Sequence, residues 1–186
     1  MHSTEIQEYL VNIFRKDPVT CNHCGKAAEY ALRLGLSLEL ADDELEALSV
    51  AAALHDIGKV KVPDNILFKP DSLTEEEYAV MKCHPDWGAE IIERQDADDP
   101  QRKLVAQIVR YHHERYDGGG YPEGIPGERI PFLAQIVAIA DAFDAMTSDR
   151  PYRSRMPVYS ARCILVEERG RQFNPDLVDS FVKLIA

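Results

Sequence analysis

Five of the six histidines stand close to acids or to one another: His23, His55 next to Asp56, His84, and the pair His112-His113, with Asp141 following later. Only His2, at the start of the chain, falls outside the set. Imidazoles and carboxylates that return at intervals are the donors of a protein-built metal site. A single histidine is more often an ordinary surface or core imidazole, so the inference rests on the joint pattern. Together His23, His55, Asp56, His84, His112, His113 and Asp141 supply enough nitrogen and oxygen donors for two octahedral ions. A His-rich set with some carboxylate favours Fe, Mn or Zn over Mg, which prefers oxygen and water. Two such ions a few ångströms apart suit phosphoester hydrolysis by in-line displacement through a bridging hydroxide.

His55-Asp56-Ile57-Gly58-Lys59 is the densest group. Neighbours on a helix point about 100° apart, so His55 and Asp56 can grip a cation from adjacent directions. A carboxylate has two oxygens, and Asp56 can bridge two ions while His55 holds one. Lys59 falls on the same side as both if the helix persists that far. A lysine beside a metal pair is placed to touch a phosphate. Asp141 argues independently, because its neighbours from Leu133 to Phe143 are mostly apolar. Burying an unpaired carboxylate costs several kcal/mol, so Asp141 needs a metal or, failing that, a core arginine. Asp144 shares its face and suits a supporting place behind the ligands.

The elements that must position these residues read as helices almost throughout. Ile6, Tyr9, Leu10 and Ile13 recur at helical spacing over about 4–15. Thr20 can cap a second helix ending near Gly35, and Asp42 or Asp43 opens a third that carries His55-Asp56 near its end. Gly58 and Pro63 mark where that helix gives way. Thr74 with Glu77 predicts a capping box and a helix over about 74–82. Pro85 starts the next, and another runs from about 101 to 114, ending in His112-His113. The Gly/Pro-rich stretch from Asp117 to Gly127 must be a loop. A long helix, about 131–147, is apolar on nearly every side and should be buried at the centre. Asn174-Pro175 begins the last, about 175–185. The pattern is all-α.

At 186 residues the chain suits one domain, or a domain with a small appendage. Hydrophobic residues make up 45% and charged residues 28%, as in ordinary globular proteins. No apolar run approaches a membrane span and the start lacks the features of a signal peptide, so a cytoplasmic location is expected. The net charge of −11 repels nucleic acid polymers and anionic membranes. The cations of interest are local: Lys59, Arg150 and Arg153. Cys21-x-x-Cys24 has redox or zinc-knuckle spacing, but no second pair completes it. Both thiols therefore read as incidental, on the first turn of a helix.

His55-Asp56-Ile57-Gly58-Lys59, His84-Pro85, His112-His113-Glu114 leading to Asp117-Gly118-Gly119-Gly120-Tyr121-Pro122, and Asp141 leading to Arg150 and Arg153 together resemble the HD-GYP branch of the HD phosphohydrolases. The similarity runs from about His23 to the C-terminus. It implies a helical bundle of the HD type with a GYP loop and C-terminal helices, in which 20–186 form the domain and 1–19 a short helical segment before it. It also implies hydrolysis of cyclic di-GMP to pGpG or GMP. Carried over by position, His23, His55, Asp56, His84, His112, His113 and Asp141 would be metal ligands, with Asp56 bridging. Lys59 would meet the scissile phosphate, making Asp56 and Lys59 the catalytic pair. Arg150 and Arg153 would contact phosphates or guanines. Tyr121 would lie over the pocket, and the Gly120-Tyr121-Pro122 loop would meet diguanylate cyclases of the GGDEF type.

One position departs from the family pattern. Members with three metals carry a glutamate four residues before the first ligand histidine, where this chain has Val19. Two divalent metals, Fe or Mn with Zn possible, are therefore expected. Two alternatives remain open at this level. One is a cyclic di-GMP receptor or GGDEF-interaction module without turnover. The other is a phosphohydrolase for another cyclic dinucleotide.

Overall fold

The stretch from 132 to 147 has almost no polar face to offer water, and it forms the helix around which the others assemble. The computed structural model describes residues 3–94, 98–149 and 154–185, the side chains of Ser3, Thr4 and Val19 excepted. Ten α-helices are present among them: α1 (Ser3–Lys16), α2 (Pro18–Ser37), α3 (Asp42–Leu54), α4 (Asp64–Leu67), α5 (Glu75–Met81), α6 (His84–Glu93), α7 (Pro100–Tyr111), α8 (Phe132–Thr147), α9 (Val158–Glu167) and α10 (Pro175–Leu184). Two 3₁₀ turns, Ile57–Lys61 and Gly127–Arg129, join them, and the described residues contain no strand. The expected all-α bundle is what the structure shows.

Ile136, Ile139 and Phe143 of α8 are fully buried. The Phe143 ring meets Tyr30 of α2 edge-on at 4.9 Å and Phe181 of α10 at 5.2 Å, so one residue joins three helices. Pairs of this kind add about 0.5–1.5 kcal/mol beyond the area they bury. Helix α1 is fastened from both ends. Its Glu5 accepts from the buried Arg102 of α7 at 2.9 Å, and its Lys16 donates to the carbonyl of Val62 at 3.0 Å. Tyr9 and Ile13 fill the core between these ties.

Several helix ends differ from the sequence reading. Helix α2 starts at Pro18 because Asp17, not Thr20, caps it, accepting from the Thr20 amide at 3.3 Å. Gly35 does not stop α2, which continues to Ser37. A Cβ there would come within 2.9 Å of Leu45 and Leu48, so its glycine permits close packing on α3. Helix α3 ends at Leu54, and Asp56 leads into the 3₁₀ turn rather than a continuing helix. Helix α7 likewise ends at Tyr111, leaving His112 as its cap. The capping box at Thr74 and Glu77 is present.

Candidate metal centre

Five elements bring the seven acids and imidazoles together. Helix α2 contributes His23, and the end of α3 contributes His55 and Asp56. The first residue of α6 is His84, the end of α7 gives His112 and His113, and α8 gives Asp141. Donor atoms of Asp56, His84, His112 and His113 lie within 4.8 Å of one another, and so do those of His23, His55 and Asp141. The seven thus form two adjoining groups, with Asp56 between them. Its Oδ2 lies 3.6 Å from Nε2 of His55 and its Oδ1 3.3 Å from Nε2 of His84. Each oxygen faces a different group, as a bridging carboxylate must.

The helix ends aim these rings. Nδ1 of His55 donates to the carbonyl of Ala52 at 2.7 Å, that of His84 to Met81 at 2.9 Å, and that of His112 to Val109 at 2.6 Å. The repeated three-residue back-bond at a helix terminus fixes the tautomer and turns Nε2 inward. In all three residues Nε2 is buried and has no hydrogen-bond partner, and Oδ1 of Asp56 is in the same condition. Four buried polar atoms left unsatisfied at one place would be costly. Cations held by the two groups would answer all four, and the N/O donors suit divalent transition metals.

The two groups hold protons differently. Burial works against charge on His23, but hydrogen bonds to Asp141 and Asp144 carry its pKa up to about 9. Burial also opposes charge on His55, and Cys24 and Asp56 raise it to about 9. In the other group burial, with His84 next, pushes His113 down to about 3. Burial and the neighbouring His113 hold His112 well below the imidazole range. Asp56 and Asp141 remain far below the carboxylate range despite burial: Lys59 and His55 lower Asp56, and His23 lowers Asp141. One half therefore stores protons, where His112 and His113 of the other stay neutral.

Asp144 takes the supporting place expected of it. Its Oδ2 lies 2.5 Å from Nδ1 of His23, while Nε2 of His23 meets Asp141 at 2.8 Å. Asp141 has this histidine as its partner, not an arginine. Lys59 reaches Oδ2 of Asp56 at 2.7 Å although the helix expected to carry it ends earlier. The tight 3₁₀ turn keeps the pair on one side. Gly58 makes the turn possible, since a Cβ there would sit 1.9 Å from the carbonyl oxygen of His84.

The loop after α7 closes one wall. The Tyr121 ring lies 4.8 Å from that of His113, tilted by 33°, and burial pushes its phenol well up. Gly120 rests on the backbone of Glu114 and Arg115, where a Cβ would come within 2.5 Å of both residues. Glu114, to which sequence reasoning gave no role, is the anchor. Its buried carboxylate accepts from the amides of Glu123, Gly124 and Ile125 at 2.7, 3.0 and 3.2 Å. Its place directly after His112-His113 was the available signal. A cleft of about 610 Å³ opens over the centre, lined by His23, Lys59, Phe68, His113 and Tyr121 among others, within the usual range of small-molecule sites. Arg150 and Arg153 lie outside the described residues, as does the side chain of Val19.

The sequence profile of the HD domain family matches residues 10–177. Over 149 residues the chain is 44% identical to the cyclic di-GMP phosphodiesterase response regulator RpfG of Xanthomonas campestris, covering 78% of this chain and 38% of that protein. Over 160 residues it is 39% identical to 3'3'-cGAMP-specific phosphodiesterase 2 of Vibrio cholerae, covering 84% of this chain and 30% of that protein. The chain thus spans well under half the length of these two relatives. Among solved structures, Bd1817, an HDG"Y"P protein from Bdellovibrio bacteriovorus, superposes with a TM-score of 0.70 at 23% identity, covering 89% of this chain and 52% of that one. That likeness concerns the fold. No helix among the described residues is long and apolar enough to cross a membrane.

Proposed function

The chain belongs to the HD domain family, and on that footing we propose that it is a metal-dependent phosphodiesterase that opens cyclic di-GMP to linear pGpG or GMP. One observation carries the reading: the two oxygens of Asp56 face two donor groups, in which Nε2 of His55, His84 and His112 is buried and unsatisfied. His23, His55 and Asp141 would hold one ion and His84, His112 and His113 the other, with Asp56 shared. Fe and Mn fit these donors best, and Zn is compatible. When bound, paired divalent ions supply Lewis-acid polarisation of the phosphate and an activated water.

The remaining residues bind and orient. Lys59 stays cationic, because Asp56 raises its pKa against the effect of burial. From its position in the cleft it donates to a non-bridging oxygen of the scissile phosphate. Tyr121 covers His113 and borders the cleft, where its ring can meet a base or ribose. Arg150 and Arg153 follow α8 in sequence and are proposed to meet the substrate's other phosphate or its guanines. The Gly120-Tyr121-Pro122 segment, set at the rim by Glu114, is a proposed contact for a GGDEF-type partner. The HD-GYP unit is taken to span 20–186.

A second selectivity has specific support, because the 39%-identical relative is named for 3'3'-cGAMP. The test is anaerobic loading with Mn or Fe, followed by a panel of cyclic dinucleotides offered to the protein and to Asp56→Ala. Cleavage of cyclic di-GMP, abolished by the substitution, is expected. Cleavage of 3'3'-cGAMP alone would transfer the proposal to that substrate. Tight binding by fully metallated protein with no turnover would make it a receptor instead.

A further inference from the structure

Cys24 is the one cysteine whose sulfur faces the centre. It follows His23 on α2, is fully buried, and its Sγ, a ring nitrogen of His55 and a carboxylate oxygen of Asp56 all lie within 4.8 Å of one another. The other thiols sit elsewhere. Cys83 turns back to the carbonyl of Ala79 at 3.4 Å, Cys163 is exposed, and Cys21 is only partly buried. A buried cysteine is usually a small apolar filler. Here, however, its neighbour is His55, which is 1% exposed and whose Nε2 has no hydrogen-bond partner.

We infer that Cys24 supplies a sulfur donor to the ion held beside His55 and Asp56, giving that half of the centre a preference for thiophilic metals. The inference rests on the metal-centre reading above and extends it. Charge points the same way. Two divalent ions bring four positive charges into a buried space where the ligands Asp56 and Asp141 return two negative ones and Asp144, behind His23, a third. A thiolate reduces the excess without adding volume. As the metal–sulfur bond forms, the S–H bond breaks and its proton leaves to buffer, so no redox partner is needed. Sulfur ligation shifts a nitrogen/oxygen site toward Zn(II), Co(II) and Fe(II) and away from Mn(II). The two halves would then differ in metal preference.

The test uses the full chain with Cys21, Cys83 and Cys163 replaced by serine, loaded anaerobically with Co(II). A thiolate-to-cobalt charge-transfer band in the near ultraviolet is expected, and it should vanish when Cys24→Ser is added. X-ray absorption of the Zn(II)-loaded unsubstituted chain gives a reading that needs no variant, with one sulfur expected at about 2.3 Å. Two cobalt ions per chain with ligand-field bands alone, or a zinc shell of only nitrogen and oxygen, would overturn the inference. Cyclic di-GMP cleavage measured on the same cobalt sample separates the two readings. Cleavage without the band removes the sulfur ligand but leaves the phosphodiesterase. The band without cleavage does the reverse. Failure to bind cobalt at all would remove both.

Discussion

Oδ1 of Asp56 and Nε2 of His84 face each other at 3.3 Å, and neither has a hydrogen-bond partner. His84 has committed its Nδ1 proton to the carbonyl of Met81, so its Nε2 is turned toward Asp56 across a buried gap. Two donors bound at about 2.1 Å and at right angles around one ion are about 3 Å apart. The spacing matches a shared cation far better than any contact between the two residues themselves.

Asp56→Asn keeps the shape but removes the charge shared by both groups. Turnover of cyclic di-GMP should fall by more than ~10²-fold, beyond the range typical of residues behind the ligands. Elemental analysis should find fewer metal ions per chain, while far-ultraviolet circular dichroism stays helical. Full metal content with full turnover would remove Asp56 from its bridging place.

Asp144→Ala removes the acceptor at 2.5 Å from Nδ1 of His23 without touching a ligand atom. Metal affinity measured against a competing chelator should drop ~10–100-fold. At saturating metal, most of the turnover should return. An unchanged affinity would mean that α2 alone aims His23.

Glu114→Ala leaves three loop amides without their carboxylate. Removing this acceptor should cost about 2 kcal/mol or more in urea unfolding. Hydrogen exchange should accelerate at residues 123–125 before it does in α8. Equal protection there in both proteins would show that Glu114 is not the loop's anchor.

Metal uptake should release protons, and the donor groups set the pH range. His23 has its folded pKa raised to about 9, above its ordinary 6.5. Its protonated form therefore stabilises the metal-free protein fully below about pH 6.5, and that contribution is lost as pH rises through 9. His113, held down at about 3, is already neutral throughout. Calorimetric titration near pH 7.5 in buffers of different ionisation heats should show proton release for the ion bound beside His23. The ion beside His113 should bind with little. Equal release in both steps would contradict the asymmetry.

Much of the centre was legible because its chemistry lies in residue types that soluble chains seldom cluster, and because helix periodicity survives in single sequences. The seven donors and the central place of α8 were read on that basis. What was missed depends on contacts between distant segments. The early end of α3 follows from Gly58 approaching the backbone of His84, and no local signal names that partner. Glu114 binds amides nine to eleven residues onward, a link invisible to propensity. Cys24 looked incidental because its burial beside His55 depends on how α2 is turned against α3. Helix α4, four residues long, is too short to carry a periodic pattern.

The number of metal ions needed for turnover tests the central claim most directly. Anaerobic titration of the metal-free chain with Mn(II) or Fe(II), with bound metal counted by elemental analysis and cyclic di-GMP cleavage followed in the same samples, gives both quantities together. Two ions per chain are expected, with cleavage appearing only as the second is taken up. Full activity with a single ion, or three ions bound per active chain, would contradict it.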